Sequence, residues 1–410
     1  MPWRETSPMQ QRLEFVREYE TGLFMMTELA GQYGISRKTG YKWVERYAAA
    51  GAEGLRDQSR RPHESPHATD PELIEDLLAV RRRHPRWGAK KLLAVAARRA
   101  PEEAWPSRST VCTVLKTRGF VTERRRRAPS PHAPVSALAP ISAVNQVWTT
   151  DFKGEFRTGD GVYCYPLTLR DGCSRFVLGC DGLRGRTVDA TRRRFARAFA
   201  KYGMPERIRS DNGGPFAGPG LGGLSGLSVW WIRLGIVPER IAPGHPEQNG
   251  SHEQFHRVLK AHTARPPAPN GPAQQQRFRR FVREYNEERP HEALNNDSPA
   301  SRYTPSTRAL PGRVPPIEYP GHVEVRLVGS NGCVSWHNAP LFVATPLAGE
   351  YVGFEEVDDG LWTLTFGRIT LARYDERHRT LQPLASAGHA GAPPAALAPR
   401  LTSTTKNSDE

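Results

Sequence analysis

Three acidic residues, far apart in the chain, have neighbours that suit chemistry better than simple solvation. Asp151 lies in "NQVWTTDFKGEF", Asp211 in "IRSDNGGPF" and Glu253 in "PGHPEQNGSHEQFHRVLKAH". The first segment alternates like a strand, with Trp148, Thr150 and Phe152 on one face and Val147, Thr149 and Asp151 on the other. An acid inside such a run is costly unless something pairs with it. Asp-Asn-Gly-Gly is turn chemistry, so Asp211 is expected at the carboxyl end of a short strand, where ligands of α/β sheets bind. An Asp in a strand, an Asp at a strand end and a Glu on a helix can converge on two divalent metal ions. Such a pair stabilises the attacking and leaving oxygens of an in-line displacement at phosphorus. The oxygen-only donor set suits Mg²⁺, with Mn²⁺ expected to substitute.

Glu247 is a rival for the third position. It follows Pro246 in what reads as the first helical turn, where the helix dipole alone accounts for an acid. Glu253, one turn beyond Gly250, has no such local reason. It shares a face with Asn249, His256, Arg257 and Lys260, while Phe255, Val258, Leu259 and His262 form the apolar stripe. Gly250 inside a helix costs about 1 kcal/mol relative to Ala, which close approach of a backbone or ligand would explain.

The elements that must carry these acids follow from pattern. "YCYPLTLRDGCSRFVLGCDGL" reads as two strands around Asp171-Gly172, a hairpin. "TVDATRRRFARAFAKYG" is an amphipathic helix ending at Gly203, "GLSVWWIRLGI" a further helix and "VPERIAPGHP" a short extended segment. The fold class is therefore multidomain. Helix-turn-helix domains occupy 8–58 and, less clearly, 70–122. A basic Pro-rich linker spans 123–143, an α/β core 144–305, a region of short strands separated by Gly, Asn and Asp turns 320–382 (which the family resemblance described below implies to be a small β-barrel) and a disordered tail 386–410.

In the first region, Leu29, Ala30, Tyr33 and Ile35 form an apolar face, Gly34 ends one helix, and Ser36 caps the next, with Tyr41, Val44 and Tyr47 at i, i+3, i+6. Helix, Gly-containing turn and second helix is a layout that enters the major groove. Ser36, Arg37, Lys38, Thr39 and Lys42 would meet phosphates and guanine edges. The second region repeats the theme, with Ser107 or Ser109 as cap and Arg108, Lys116 and Arg118 as contacts; a packing domain is the alternative. The linker adds Arg124, Arg125, Arg126 and Arg127.

Composition agrees with a polyanionic partner. The net charge is +15, and residues 1–130 hold 25 Lys+Arg against 16 Asp+Glu, so 25 − 16 = +9 falls in under a third of the chain. The five cysteines are scattered with no metal spacing and read as reduced, mostly buried thiols. No signal-type or membrane-spanning apolar run occurs in the sequence. A cytoplasmic protein without a membrane or small-molecule partner is expected, and the family resemblance described below implies a bacterial, nucleoid-associated one.

"WTTDFKG", "SDNGGPFA" and "PGHPEQNGSHEQFHRVLK", followed by "YNEERPHEAL", resemble the catalytic core of bacterial insertion-sequence transposases of the DDE superfamily, related to retroviral integrases, with an RNase H-like fold. The resemblance implies a triad of Asp151, Asp211 and Glu253, separated by 211 − 151 = 60 and 253 − 211 = 42 residues. The second interval exceeds the family's compact spacing, and "GPGLGGLSGL" at 218–227 reads as the inserted loop. The zinc-binding front domain of viral integrases has no counterpart in this sequence.

The implied activity is transposition: binding of terminal inverted repeats, cleavage at 3′ ends by water activated at two Mg²⁺ ions, and attack of the freed 3′-hydroxyls on target double-stranded DNA. A homo-oligomer, dimer or tetramer, would bring two ends together. In this frame Asn249 positions the Glu253 helix or contacts DNA. His245, His252, His256, Arg257 and Lys260 are either phosphate contacts or an ordinary solvated face, and "NEERPHEAL" is a structural cap on the core. A catalytically silent DNA-binding regulator derived from a transposase is the alternative, and a structure-specific nuclease of RNase H type fits the acids but not the front end.

Overall fold

The computed structural model describes residues 7–58, 69–121, 138, 141–218, 220–242, 248 and 250–383. Contacts divide the chain at Pro71 into two compact units.

The first unit is a trihelical domain of α1 (Pro8–Glu20), α2 (Met26–Gln32) and α3 (Arg37–Ala50). Ser7 and Gln10 form a reciprocal capping box on α1. Gly34, at φ +63°, makes the left-handed turn between α2 and α3, and Ser36 caps α3 by accepting from Thr39 N–H at 3.2 Å. Phe15, Val16, Leu29 and Trp43 fill the core. Trp43, rather than Tyr41, faces inward from α3; Tyr41 is exposed, because it lies about 200° around the helix from Trp43.

The second unit begins with α4 (Pro71–Arg83), α5 (Ala89–Arg99) and α6 (Arg108–Thr117), packed around Leu78, Trp87, Leu92 and Val111. Ser107, not Ser109, caps α6. A mixed sheet follows. It holds β1 (Val147–Phe152), β2 (Phe156–Arg157), β3 (Tyr163–Asp171), β4 (Val177–Leu183), β5 (Arg207–Ser210) and β6 (Val237–Arg240). The order is β2-β3-β1-β5-β6, with β4 also pairing with β3. The β4-β3-β1 half is antiparallel and the β1-β5-β6 half parallel. Helices α7 (Val188–Tyr202) and α8 (Gly226–Arg233) pack on one face through Phe195, Phe199, Trp230 and Trp231. The other face carries α9 (Gly250–Thr263) and α10 (Gly271–Arg283), packed through Phe255, Leu259, Phe278 and Phe281. Helices on both faces bury a central strand twice over, and β1 is accordingly buried along most of its length.

α9 is seated by a buried polar cluster. Its His252 and His256 both reach the Thr168 hydroxyl, at 2.7 and 2.8 Å, and that hydroxyl donates to the Asp151 carbonyl at 3.0 Å. A hydroxyl has one proton and accepts twice, so with its proton on the carbonyl both imidazoles donate through Nε2. His252 Nδ1 lies 2.9 Å from the Thr149 hydroxyl, which also donates to the Arg170 carbonyl at 3.3 Å.

Residues 218–227 were expected as a loop; Gly226 and Leu227 instead open α8, and Leu221–Gly223 forms a short 3-10 turn. Leu224, Val229 and Ile232 enter a second core with Trp336, Phe354, Leu364 and Phe366. This β-rich C-terminal region comprises β7 (Glu324–Leu327), β8 (Cys333–Trp336), β9 (Ala339–Phe342), β10 (Tyr351–Asp358), β11 (Leu361–Phe366), β12 (Ile369–Asp375) and β13 (Thr380–Pro383). The strands form a five-stranded antiparallel sheet, β13-β12-β11-β10-β7, and a separate β8-β9 hairpin.

"YNEERPHEAL" does two structural jobs. Asn286 is buried and pairs with Val177 like a strand neighbour, accepting from its N–H at 2.8 Å and donating to its carbonyl at 3.0 Å. Glu284 and Glu288, on a π-helical turn that continues α10, meet His84 and Arg83 at 2.9 and 3.1 Å, and Glu292 meets Lys90 at 2.8 Å. These contacts hold α4–α6 to the core. Two of the five free cysteines, Cys164 and Cys180, are buried, fewer than expected, while Cys112 is exposed. No helix among the described residues is long and apolar enough to cross a membrane.

Three substitutions test these buried pairings by urea unfolding followed through tryptophan fluorescence. Thr168→Val strands two imidazoles and a carbonyl and should cost about 2–4 kcal/mol, whereas Thr168→Ser should cost under about 1 kcal/mol. Asn286→Ala should cost about 2–3 kcal/mol because both Val177 groups lose their partner in a dry site.

Candidate active site

The pairing of β1 with β5 is parallel, in the register Val147↔Arg207, Trp148↔Ile208 and Thr149↔Arg209. Every pair differs by 60 residues, and continuing the register by two sets Asp151 level with Asp211. Adjacent strands run about 4.8 Å apart, so the two acids are neighbours at the carboxyl end of the sheet. Burial first, and then the Asp211 charge, raise the Asp151 carboxyl to about 7. Burial also raises Asp211, opposed by the Gly213 N–H, which donates to Asp211 Oδ1 at 3.2 Å. A Cβ on Gly213 would lie 3.1 Å from Asp211 Oδ2, so glycine keeps the carboxylate clear on that side. Asn212 Nδ2 ties the turn to the Ile241 carbonyl at 2.8 Å.

Glu253 stands on the exposed side of α9. The side chain of Lys153 lies within electrostatic range of Asp151, Glu253 and Lys260; burial lowers its pKa first, followed by repulsion from Lys260. Among the described residues no three His, Cys, Asp or Glu side chains form a group able to hold a metal ion. The geometry thus brings Asp151 and Asp211 together and leaves Glu253 on the adjoining helix.

The donor set nonetheless fits a hard divalent cation. Two carboxylates share a half-buried site beside the uncharged His256 ring, and no side-chain cation bonds either one among the described residues. Arg186, from the turn before α7, lowers both carboxyls electrostatically while pairing with Glu155 at 2.8 Å.

Three expectations need correction. His256 is not a surface DNA contact. It is 5% exposed, faces Asp151 Oδ2 at 3.4 Å through Nδ1, and is held neutral, with its pKa lowered to about 3 chiefly by burial. His252 is wholly buried and is likewise kept uncharged. The 100° step between helix residues puts both on the sheet side of α9, between the Phe255 stripe and Glu253. Gly250 begins α9 instead of lying inside it, and among the described residues no other element comes within 4 Å of the position its Cβ would take. Glu253 therefore occupies the first turn, and the dipole argument applied to Glu247 holds for it as well.

The other expected site residues divide plainly. Ser36, Arg37, Lys38 and Lys42 are exposed at the start of α3, and Thr39 is half-buried. Arg108, Lys116 and Arg118 are exposed on or beside α6, and Arg257 and Lys260 are exposed on α9. Arg124–Arg127, His245, Glu247 and Asn249 lie outside the described residues. Sequence reasoning missed Lys153, which the strand alternation two residues beyond Asp151 would have supplied. It also missed Arg186, which comes from a separate loop and left no signal.

Comparison with known proteins places the chain by its domains. A helix-turn-helix domain matches residues 11–63 and a homeodomain-like domain residues 39–115. Two integrase core domains match residues 142–246 and 234–299. The insertion element IS407 uncharacterized 31.7 kDa protein of Burkholderia multivorans is 26% identical over 56% of this chain and 79% of its own length. Transposase InsD for insertion element IS2 of Escherichia coli is 24% identical over 57% of this chain and 79% of its own. The solved HTLV-2 integrase catalytic core domain in complex with magnesium covers 39% of this chain and 96% of its own, at 16% identity and a TM-score of 0.29. With helix-turn-helix domains ahead of an integrase core and insertion-element proteins as its relatives, the chain belongs to the insertion-sequence transposases of the DDE, retroviral integrase-like superfamily.

Proposed function

We propose that this transposase binds the terminal inverted repeats of its element, cleaves DNA at the 3′ ends by hydrolysis and joins the freed 3′-hydroxyls to target DNA. The observation that carries this reading is the side-by-side pair Asp151 and Asp211 at the carboxyl ends of two parallel strands. Asp151, Asp211 and Glu253 would hold two Mg²⁺ ions, with Mn²⁺ able to substitute. Bound there, the ions supply charge stabilisation to the attacking and leaving oxygens at phosphorus.

The chain's own residues do the positioning. The Gly213 N–H fixes one oxygen of Asp211. His256, uncharged, flanks Asp151 without forming a competing cation, and Thr168 locks its ring. Lys153, Arg257 and Lys260 provide positive charge beside the acids for a DNA backbone. The α3 residues Ser36 to Lys42 and the α6 residues Arg108, Lys116 and Arg118 are proposed to bind the element ends. A homo-oligomer would pair two ends, and a C-terminal β-barrel and a cytoplasmic location complete the proposal.

Purified protein with Mg²⁺ or Mn²⁺ and a duplex carrying the terminal repeat should nick at the 3′ end and join it to a second DNA. Asp151→Asn, Asp211→Asn and Glu253→Gln should each lower both steps by about 100-fold or more while leaving end binding intact. An inactive Glu247→Gln beside an active Glu253→Gln would transfer the third position to Glu247. Wild-type protein that binds ends but cuts with neither metal would be a regulator. Arg37→Ala and Lys42→Ala should weaken end binding, each reducing the salt slope by about 1.

A further inference from the structure

The segment Tyr285–Leu294 has a structural role but no part in the proposed reaction, yet it lines a cavity of about 400 Å³ with α5, β3 and α9. Lys91, Arg170, Arg175, Arg289 and His291 all face that space. Its one acid, Glu292, is engaged by Lys90 at 2.8 Å. Among the described residues none of Lys91, Arg170, Arg175 or Arg289 forms a salt bridge with a carboxylate.

Arg170 is the central observation. It is 2% exposed; Nη1 and Nη2 donate to the Ser251 carbonyl and hydroxyl at 2.9 and 2.7 Å, and its buried Nε has no partner. His291 Nε2 is also buried without a partner. Lys91 donates to the Pro290 carbonyl at 2.6 Å, and the acid that offsets its charge is Glu292, which Lys90 already engages at 2.8 Å. Burial and the neighbouring Arg289 lower Lys91 to about 8, and burial with Arg289 and Lys91 lowers His291 to about 3. Arg175 holds φ at +64°, a left-handed conformation costly for a residue with a side chain. Such crowding of cations around open donors is stable only with a counter-charge.

We infer that this cavity is a phosphate-binding site, taking either a free phosphate or a phosphodiester of DNA. Ser251, Gln254, Phe255 and Val258 form its α9 wall, on the opposite side of the helix from Glu253 by the 100° step. The site is therefore separate from the acidic pair, and it does not depend on the strand-transfer reading.

The test titrates inorganic phosphate into the full-length protein in phosphate-free buffer, by calorimetry and thermal melting. Wild type should bind saturably and melt higher with phosphate. Arg289→Gln and Arg175→Gly should each weaken binding about tenfold or more, the loss of one charged hydrogen-bonding group. Arg175→Gly also relieves the left-handed strain, so it should melt above wild type in phosphate-free buffer, which separates lost binding from lost folding. Asp151→Asn should keep the phosphate response whether or not it abolishes cleavage. A short duplex that displaces phosphate identifies the DNA backbone as the source; a duplex that does not identifies a free phosphate. No saturable binding by wild type, or unchanged binding by both arginine variants, overturns the site.

Discussion

The parallel pairing of β1 with β5 at a constant offset of 60 residues is the constraint on which the rest of the core depends. It sets two carboxylates level on neighbouring strands. Two like charges about 5 Å apart repel by about 3 kcal/mol at an effective dielectric of about 20. That is comparable to a sizeable part of a domain's net stability, so the fold must resist it elsewhere. The resistance comes from the buried aromatic layer on the α7–α8 face, where Trp148 and Ile208, from the same two strands, pack among Phe199, Trp230 and Trp231. One strand face thus supplies the cohesion that lets the other carry charge.

α9 must then lie across a strand that carries an acid, without adding a permanent cation to it. The His252–Thr168–His256 cluster does this with polar groups that remain uncharged. Apolar residues in place of the two histidines would seat the helix but leave the Thr168 hydroxyl without its two imidazole partners. A lysine would neutralise the carboxylate and compete with any cation. The imidazole is long enough to reach the sheet and, when buried, stays neutral.

Much of this was legible in the sequence, for identifiable reasons. Strand alternation and turn chemistry are local signals, so β1, the Asp171-Gly172 hairpin and the Asp211 turn could be read directly. The register that makes Asp151 and Asp211 neighbours was available as a spacing, but only the pairing partner gives that spacing meaning. His252 and His256 were not legible, because a polar helix face looks the same whether it meets water or a buried threonine. Pro246 is a good first helical residue but lies outside the described residues; the described helix begins at Gly250 with Glu253 in its first turn, which removes the positional distinction between Glu247 and Glu253. The glycine-rich stretch at 218–227 looked like slack, whereas Leu224 and the helix after it pack the C-terminal β-rich region.

"NEERPHEAL" shows why a motif can resist a single assignment. Its residues are divided among neighbours by direction. Asn286 completes β4, Glu288 and Glu292 face Arg83 of α4 and Lys90 of α5, and Arg289 and His291 turn toward Arg170. The π turn at Glu284–Glu288 changes the angular step along the chain, which separates acids from bases that a regular helix would have mixed. Acids engaged at the α4–α5 contact offset the cations on the other side only in part. The same contact that fixes α4–α6 to the core therefore leaves an unbalanced positive cavity beside it, and one short segment carries both the docking of a helical module and the charge that calls for an anion.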